Sequence, residues 1–286
     1  MIINKETIDN YVKGITNPNT QKTYRSSLKK FHKFLTEKEI NDITEQNINT
    51  IIHDYKAYLN TKKYKAVTVN QHLIILKTFI NDYTTIEYTK DLKLLKTTRE
   101  KPHYLTREQI KTVLKYTDNK TDELIIRLLI TTGLRINEAV NLTKQQLTKT
   151  DKQGNAIIKI IGKNTKRRII VLSEKLTKQL NKYSKKHKTY IFESTRNKNK
   201  PITTRTIEIR FKKLAHRIDQ EEHTNIYSEN LKPHNLRHSF AIQALKNNEI
   251  NYVKEFLGHE NIATTQIYTN LKEKDVVERF KKLKTI

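Results

Sequence analysis

The sequence predicts a mainly α-helical protein in two domains: an N-terminal helical bundle, and a mostly helical second domain carrying one small antiparallel β-hairpin sheet. Three observations predict it. Apolar residues recur at helical spacing through the first hundred residues. A single pair of β-branched runs flanks a short polar turn near the middle of the chain. A polar, charged stretch at 93–104, with Pro102 near its end, separates two core-forming regions. The 286 residues suffice for two compact domains, and the boundaries read as 1–95, a linker at 96–103, and 104–286.

In the first region Asn19-Thr20 can cap a helix in which Tyr24, Leu28, Phe31 and Leu35 recur at i, i+4, i+7 and i+11. Ile48, Ile51, Tyr55 and Tyr58 form a second stripe, and Val69, Leu73, Leu76 and Ile80 a third. Such stripes make a bundle core. Lys22, Lys29, Lys30, Lys33, Lys56 and Lys77 lie on the polar faces. In the second region Thr106 is an N-cap for REQIKTVLKY. The segment TDELIIRLLITT at 121–132 reads as a more buried helix starting from a Thr or Asp cap, interrupted at Gly133, with a further helix from about Arg135. AIIKII and RIIVL, at 156–161 and 168–172, read as a hairpin around GKNTK. Helices are expected at 203–218, 234–247 and 251–257, with a last apolar stripe at Val276, Phe280 and Leu283.

Charge narrows the partner. Lys and Arg number 56 against 30 Asp and Glu, a net +26, and both regions are basic. A polyanion such as nucleic acid is the natural partner, because neutralising phosphates releases counterions. The chain has no cysteine, which excludes disulfides, thiolate metal sites and cysteine nucleophiles. No apolar run approaches a membrane span and MIINKETIDN lacks a signal-peptide core, so a soluble, cytoplasmic protein is expected.

Five pieces of the second region carry the chemistry. Thr131-Thr132-Gly133-Leu134-Arg135 leads into Asn137-Glu138. The hairpin tip holds Lys163 and Lys166. His234-Asn235-Leu236-Arg237-His238 follows Pro233. Leu257-Gly258-His259-Glu260 is followed, nine residues after His259, by Tyr268. Taken singly each has an ordinary reading: Arg135 as a helix cap or an i, i+3 ion pair with Glu138, Lys163 as a solvated lysine, His259 as a core histidine. His234 and His238 have metal-ligand spacing, but HNLRH lacks the Glu of H-E-x-x-H.

Jointly, TGLRINE, GK on a hairpin, PHNLRHSFA, LGHENIATT and the tyrosine after it resemble the tyrosine recombinases, the phage-integrase and Xer-like family, in order and in spacing. The likeness covers essentially the whole chain, with softer signals in NTQKTYRSSLKKFHKFL and VTVNQHLIILKTFI, which look like the family's helical core-binding domain. By resemblance the active site falls on Arg135, Lys163, His234, Arg237, His259 and Tyr268, with Glu138 in support. The tip departs from the family pattern, reading GKNTKRR where members often have a second glycine, so Lys166 rivals Lys163. Asn247-Asn248 stand where a glycine is common, and Tyr268 precedes Thr-Asn in place of Thr-His.

The residue types suit the implied reaction. Displacement at phosphorus builds charge on nonbridging oxygens, and an arginine fork binds two of them while staying protonated. Two arginines can therefore stand in for metal ions, and neither metal nor cofactor is expected. His234 and Arg237, at i and i+3, share one helix face. The resemblance implies attack by Tyr268 to give a covalent 3′-phosphotyrosine, which stores the bond energy for resealing. The leaving 5′-oxygen needs a proton donor, for which Lys163 is the candidate. The implied architecture is a two-domain clamp on double-stranded DNA. A homo-tetramer on synapsed DNA is expected, with Val276, Phe280 and Leu283 docking on a neighbour or on their own domain. Nucleoid association follows. The alternatives are a type IB topoisomerase-like or transposase strand transfer, or a catalytically silent DNA-binding protein of the same fold.

Overall fold

The computed structural model describes residues 3–83, 92–97, 103–161 and 167–247. The chain divides into two compact units, Met1–Glu100 and Lys101–Ile286.

The described residues of the first unit form four helices, α1 (Lys5–Lys13), α2 (Pro18–Glu37), α3 (Ile48–Thr61) and α4 (Ala66–Tyr83). The three expected stripes fall on α2, α3 and α4. Helix α1 was not foreseen, since it buries only Ile8 and Val12 and offers too few apolar positions to show a period. Helix α2 begins earlier than expected. Asn17, not Asn19-Thr20, is the cap: its side chain accepts from the Asn19 and Thr20 amides, and Pro18 takes the first helical position, where no N–H is needed. The core is aromatic at its centre. Phe31, Phe34, Tyr55 and Phe79 are essentially inaccessible, and the Tyr55 ring lies 4.9 Å from Phe31 and 5.2 Å from Phe34. Each such side chain contributes about 1.5–3 kcal/mol by leaving water. Residues 92–97 lie against this unit. Leu92 and Leu95 pack on its core, and the Leu95 backbone exchanges two hydrogen bonds with the Asn70 amide, at 2.8 and 3.0 Å.

The second unit is organised around α6 (Lys120–Thr132), in which Leu124, Ile125, Ile126, Leu128, Leu129 and Ile130 are all buried. The sequence placed a Thr or Asp cap here. The cap is Asn119, whose side chain accepts from Thr121 and Asp122. Before α6 comes α5 (Arg107–Tyr116), opened as expected by Thr106 in a reciprocal box with Gln109. After it come α7 (Ile136–Val140) and the hairpin of β1 (Ala156–Ile161) and β2 (Arg167–Leu172), paired antiparallel from Ala156↔Leu172 to Ile161↔Arg167. Strand β2 thus begins one residue before the sequence placed it. Then follow α8 (Glu174–Tyr183), α9 (Thr204–Glu221), α10 (Ile226–Asn230) and α11 (Pro233–Asn247). Helix α8 was missed, because its polar composition leaves only Leu176, Thr177 and Leu180 buried. The short α10 was missed too. It is fixed by Asp219, whose carboxylate accepts from the Tyr227 and Ser228 amides at 2.9 and 2.7 Å. Helices α7, α8, α9 and α11 and strand β2 all pack on α6. The expected helix at 251–257 and the stripe Val276, Phe280 and Leu283 lie outside the described residues. Among the described residues no helix is long and apolar enough to cross a membrane.

One buried titratable group makes the first unit sensitive to acid. His72 on α4 is 7% exposed, and its Nδ1 lies 2.6 Å from Ser27 Oγ on α2. Burial, and then the nearby Lys30, hold its imidazole below the ordinary value of 6.5. The folded protein therefore binds fewer protons than the unfolded chain just below that value. Stability is present above about pH 6.5 and is lost as pH falls below it. Thermal melts between pH 7.5 and 5 should show this loss as a midpoint lowered by roughly a few degrees. A His72→Gln variant should lose less over the same range. Equal losses in both proteins would assign the acid sensitivity to other groups.

Candidate active site

Local chain geometry at the end of α6 sets up the site. Gly133 adopts φ +61°, a left-handed conformation that stops the helix, and its amide closes on the Leu129 carbonyl at 3.0 Å. Leu134 is then fully buried, and Arg135 follows in extended conformation as the N-cap of α7. The Arg135 amide donates to Glu138 Oε2 at 2.8 Å and its guanidinium donates to Glu138 Oε1 at 3.2 Å. The helix-cap and ion-pair readings of these two residues are therefore both realised, with the Arg135 side chain 43% exposed. The Glu138 side chain is only 12% exposed.

Helix α11 brings the second group. Arg237 is 3% exposed, and its Nη1 donates to the Gly133 carbonyl on the turn that precedes Arg135. Two arginines about a hundred positions apart are thereby tied to one turn. Burial, then the charges of Arg135 and Arg168, push the Arg237 guanidinium down to about 10. It remains protonated at neutral pH, in a setting where a bound anion would relieve the repulsion. His234 lies one helical turn before it. Burial, Arg237 and Arg135, in that order, hold its imidazole below the ordinary value, so the ring is neutral at pH 7. The His234 and His238 rings meet edge to face, with centroids 4.3 Å apart.

A residue that sequence reasoning passed over completes the cluster. Arg168, read only as the start of a strand, sends Nη1 to Glu138 Oε1 at 3.0 Å and Nη2 to Glu138 Oε2 at 2.5 Å, with its side chain 7% exposed. Burial raises the Glu138 carboxyl, but hydrogen bonds from Arg168 and the Arg135 amide, together with both positive charges, outweigh this and hold it below its ordinary value. The sequence offers little local signal for it, because Arg168 opens its β-branched run between the exposed Arg167 and the half-buried Ile169. Of the other site residues read from the sequence, Lys163 with its rival Lys166, His259 and Tyr268 lie outside the described residues.

The arrangement, a carboxylate holding Arg135 and Arg168, with Arg237 tied to the adjoining Gly133 turn beside a neutral histidine, suits an anionic phosphodiester. Comparison with known proteins agrees. Residues 103–275 match the Phage integrase family, and residues 11–90 match the phage integrase N-terminal SAM-like domain. The chain is 30% identical over 237 residues to tyrosine recombinase XerA of Pyrococcus horikoshii, covering 81% of this chain and 79% of that protein. It is 29% identical to tyrosine recombinase XerC of Caldanaerobacter subterraneus, covering 93% and 81%. Among solved structures, the XerH site-specific recombinase bound to palindromic difH substrate superposes with TM-score 0.67 at 21% identity, covering 96% of this chain and 83% of that one. The Tn1549 transposon integrase in complex with circular intermediate DNA gives 0.69 at 16% identity, covering 98% of each chain. These structures share the fold. The chain belongs to the phage integrase family and is a tyrosine recombinase; neither the topoisomerase-like nor the silent alternative is favoured by its relatives.

The Gly133 turn gives a test of this geometry. Alanine at that left-handed position costs about 1–2 kcal/mol of stability. It also moves the carbonyl that Arg237 holds. Gly133→Ala should lower the urea midpoint modestly and lower DNA cleavage far more than the stability loss accounts for, at temperatures where the variant is fully folded. Unchanged cleavage in a folded variant would separate the turn from the site.

Proposed function

We propose that this recombinase binds double-stranded DNA and exchanges strands at specific sites through a covalent 3′-phosphotyrosine formed by Tyr268, with Arg135, Lys163, His234, Arg237 and His259 as its catalytic partners. The observation that carries this reading is the tie between Arg237 and the Gly133 turn, which gathers Arg135, Arg237 and a neutral His234 at one place. Arg135 and Arg237 bind the nonbridging oxygens of the scissile phosphate and stabilise the charge that develops there. Tyr268 attacks phosphorus and gives up its phenolic proton. The bond to the 5′-oxygen breaks, and Lys163 protonates that oxygen as it leaves. His234, being neutral, can accept a hydrogen bond or a proton in this sequence. Attack by a 5′-hydroxyl on the phosphotyrosine reverses the steps and reseals the strand without ATP. No metal ion or cofactor is needed for charge stabilisation.

The domain division 1–95, 96–103 and 104–286 fits a clamp in which both basic regions contact phosphates. Recombination joins two duplexes, so the assembly is a homo-tetramer on synapsed DNA, with Val276, Phe280 and Leu283 as its docking stripe. The place of action is the nucleoid. The XerH recombinase, solved bound to difH substrate, supports duplex DNA as the partner.

Two experiments test the chemistry. Tyr268→Phe removes one hydroxyl and little volume, so it should bind DNA as wild type yet form no covalent adduct on denaturing gels, while wild type forms the adduct in excess EDTA. An adduct surviving in Tyr268→Phe would point to another tyrosine, with Tyr252 the first to test. Magnesium-dependent cleavage would point to a different mechanism.

For the acid, Lys163→Ala should cleave ordinary DNA poorly. It should cleave a substrate with sulfur at the 5′-bridging position nearly as well as wild type, because a thiolate leaves without protonation. Arg135→Ala should stay impaired on both substrates. If the sulfur substrate rescues Lys166→Ala instead, Lys166 is the acid.

A further inference from the structure

Glu138 is contested by two guanidinium groups. Its two oxygens accept from Arg168 at 3.0 and 2.5 Å, and from the Arg135 side chain and amide at 3.2 and 2.8 Å. The two arginines come from different elements, Arg168 from β2 and Arg135 from the cap of α7. A carboxylate with one arginine neighbour closes on it as a two-pronged pair and cancels its charge. Here the two-pronged pair is made with Arg168, and the Arg135 side chain reaches the same carboxylate by the longer bond from its Nη1.

We propose that Arg168 is a positioning residue for strand cleavage: by engaging both oxygens of Glu138 it lets that carboxylate orient Arg135 without neutralising it, and so preserves the positive charge presented to the scissile phosphate. This rests on the reading that Arg135 and Arg237 bind that phosphate. Arg168 itself touches no reacting atom. Its effect reaches the substrate through Glu138 and Arg135. Glutamate at position 138 is then useful only with a second arginine beside it, and the two positions form one unit. Removing Arg168 leaves a buried carboxylate with Arg135 as its nearest cation, and the two collapse together. Removing both Arg168 and the charge of Glu138 restores the electrostatic state of Arg135.

Single-turnover cleavage at saturating DNA tests this with two substrates. One is ordinary DNA. In the other a methyl group replaces one nonbridging oxygen of the scissile phosphate, so the reacting group is neutral and has less need of positive charge. Arg168→Ala should slow cleavage of ordinary DNA roughly tenfold or more, within the range of coupled buried pairs. The deficit should shrink markedly on the neutral substrate. Arg168→Ala/Glu138→Gln should cleave ordinary DNA faster than Arg168→Ala alone. Arg168→Lys keeps one ion pair but lacks the fork, so it should show the same substrate discrimination in smaller measure, and it serves if Arg168→Ala fails to fold. Equal deficits on the two substrates, or effects of the two positions that simply multiply, would overturn the proposal and leave Arg168 a structural residue. The parent reading fails in a different way: Arg135→Ala and Arg237→Ala would then still form the covalent adduct at wild-type rate.

Discussion

The buried carboxylate of Glu138 is the constraint on which the site depends. It binds two guanidinium groups, and the charges of Arg135 and Arg168 bear in turn on Arg237. Like charges gathered in a poorly solvated place repel. Without a carboxylate at their centre the arginines would turn outward to water. With it Arg168 and Arg237 remain buried and Arg135 stays at the mouth of the site, and the proton affinity of Arg237 is lowered. That stored repulsion is a form of preorganisation, since a negative group entering the site is met by charges already in place.

The same site depends on one helix for its geometry. Helix α6 is apolar on nearly every face, as befits a helix with neighbours all round. Its end is the Gly133 turn, and α7, β2 and α11 are laid against it. Arg135, Arg168 and Arg237 therefore reach the site from elements whose positions are set by a single buried rod. Packing accounts for the stability of the unit, and the turn at the end of the rod converts that stability into precise placement of charge.

Much of this was legible in the sequence, and the reason differs between elements. The stripes of α2, α3 and α4 and the run of α6 are long enough to show their period. The β-branched strands have no competing helical reading. Arg135, Glu138, His234 and Arg237 were visible because their motifs keep order and spacing. What escaped were short or polar elements: α1 and α10 bury too few residues, and α8 hides its three buried positions among lysines and other polar residues. The caps of α2 and α6 slipped because several Asn and Thr residues compete locally, and the choice falls to Asn17, followed by Pro18, in one case and to Asn119 in the other. Arg168 escaped for a deeper reason. Its partner Glu138 lies thirty positions away, and nothing local marks a strand arginine as buried. Pairings of that kind exist only after folding.

The flanks of the connecting stretch are each tied to their own unit. On one side Leu95 is clasped by the Asn70 amide. On the other the Leu105 amide donates to Ser239 Oγ at 2.8 Å, two residues beyond Arg237 on α11, and His103 meets Asn230. Each unit thus carries its own fastening, as a strap is riveted at either end. The rivet at Ser239 holds the opening of its unit to α11, the helix that carries His234 and Arg237, so the first turn of that unit and its arginine share one support.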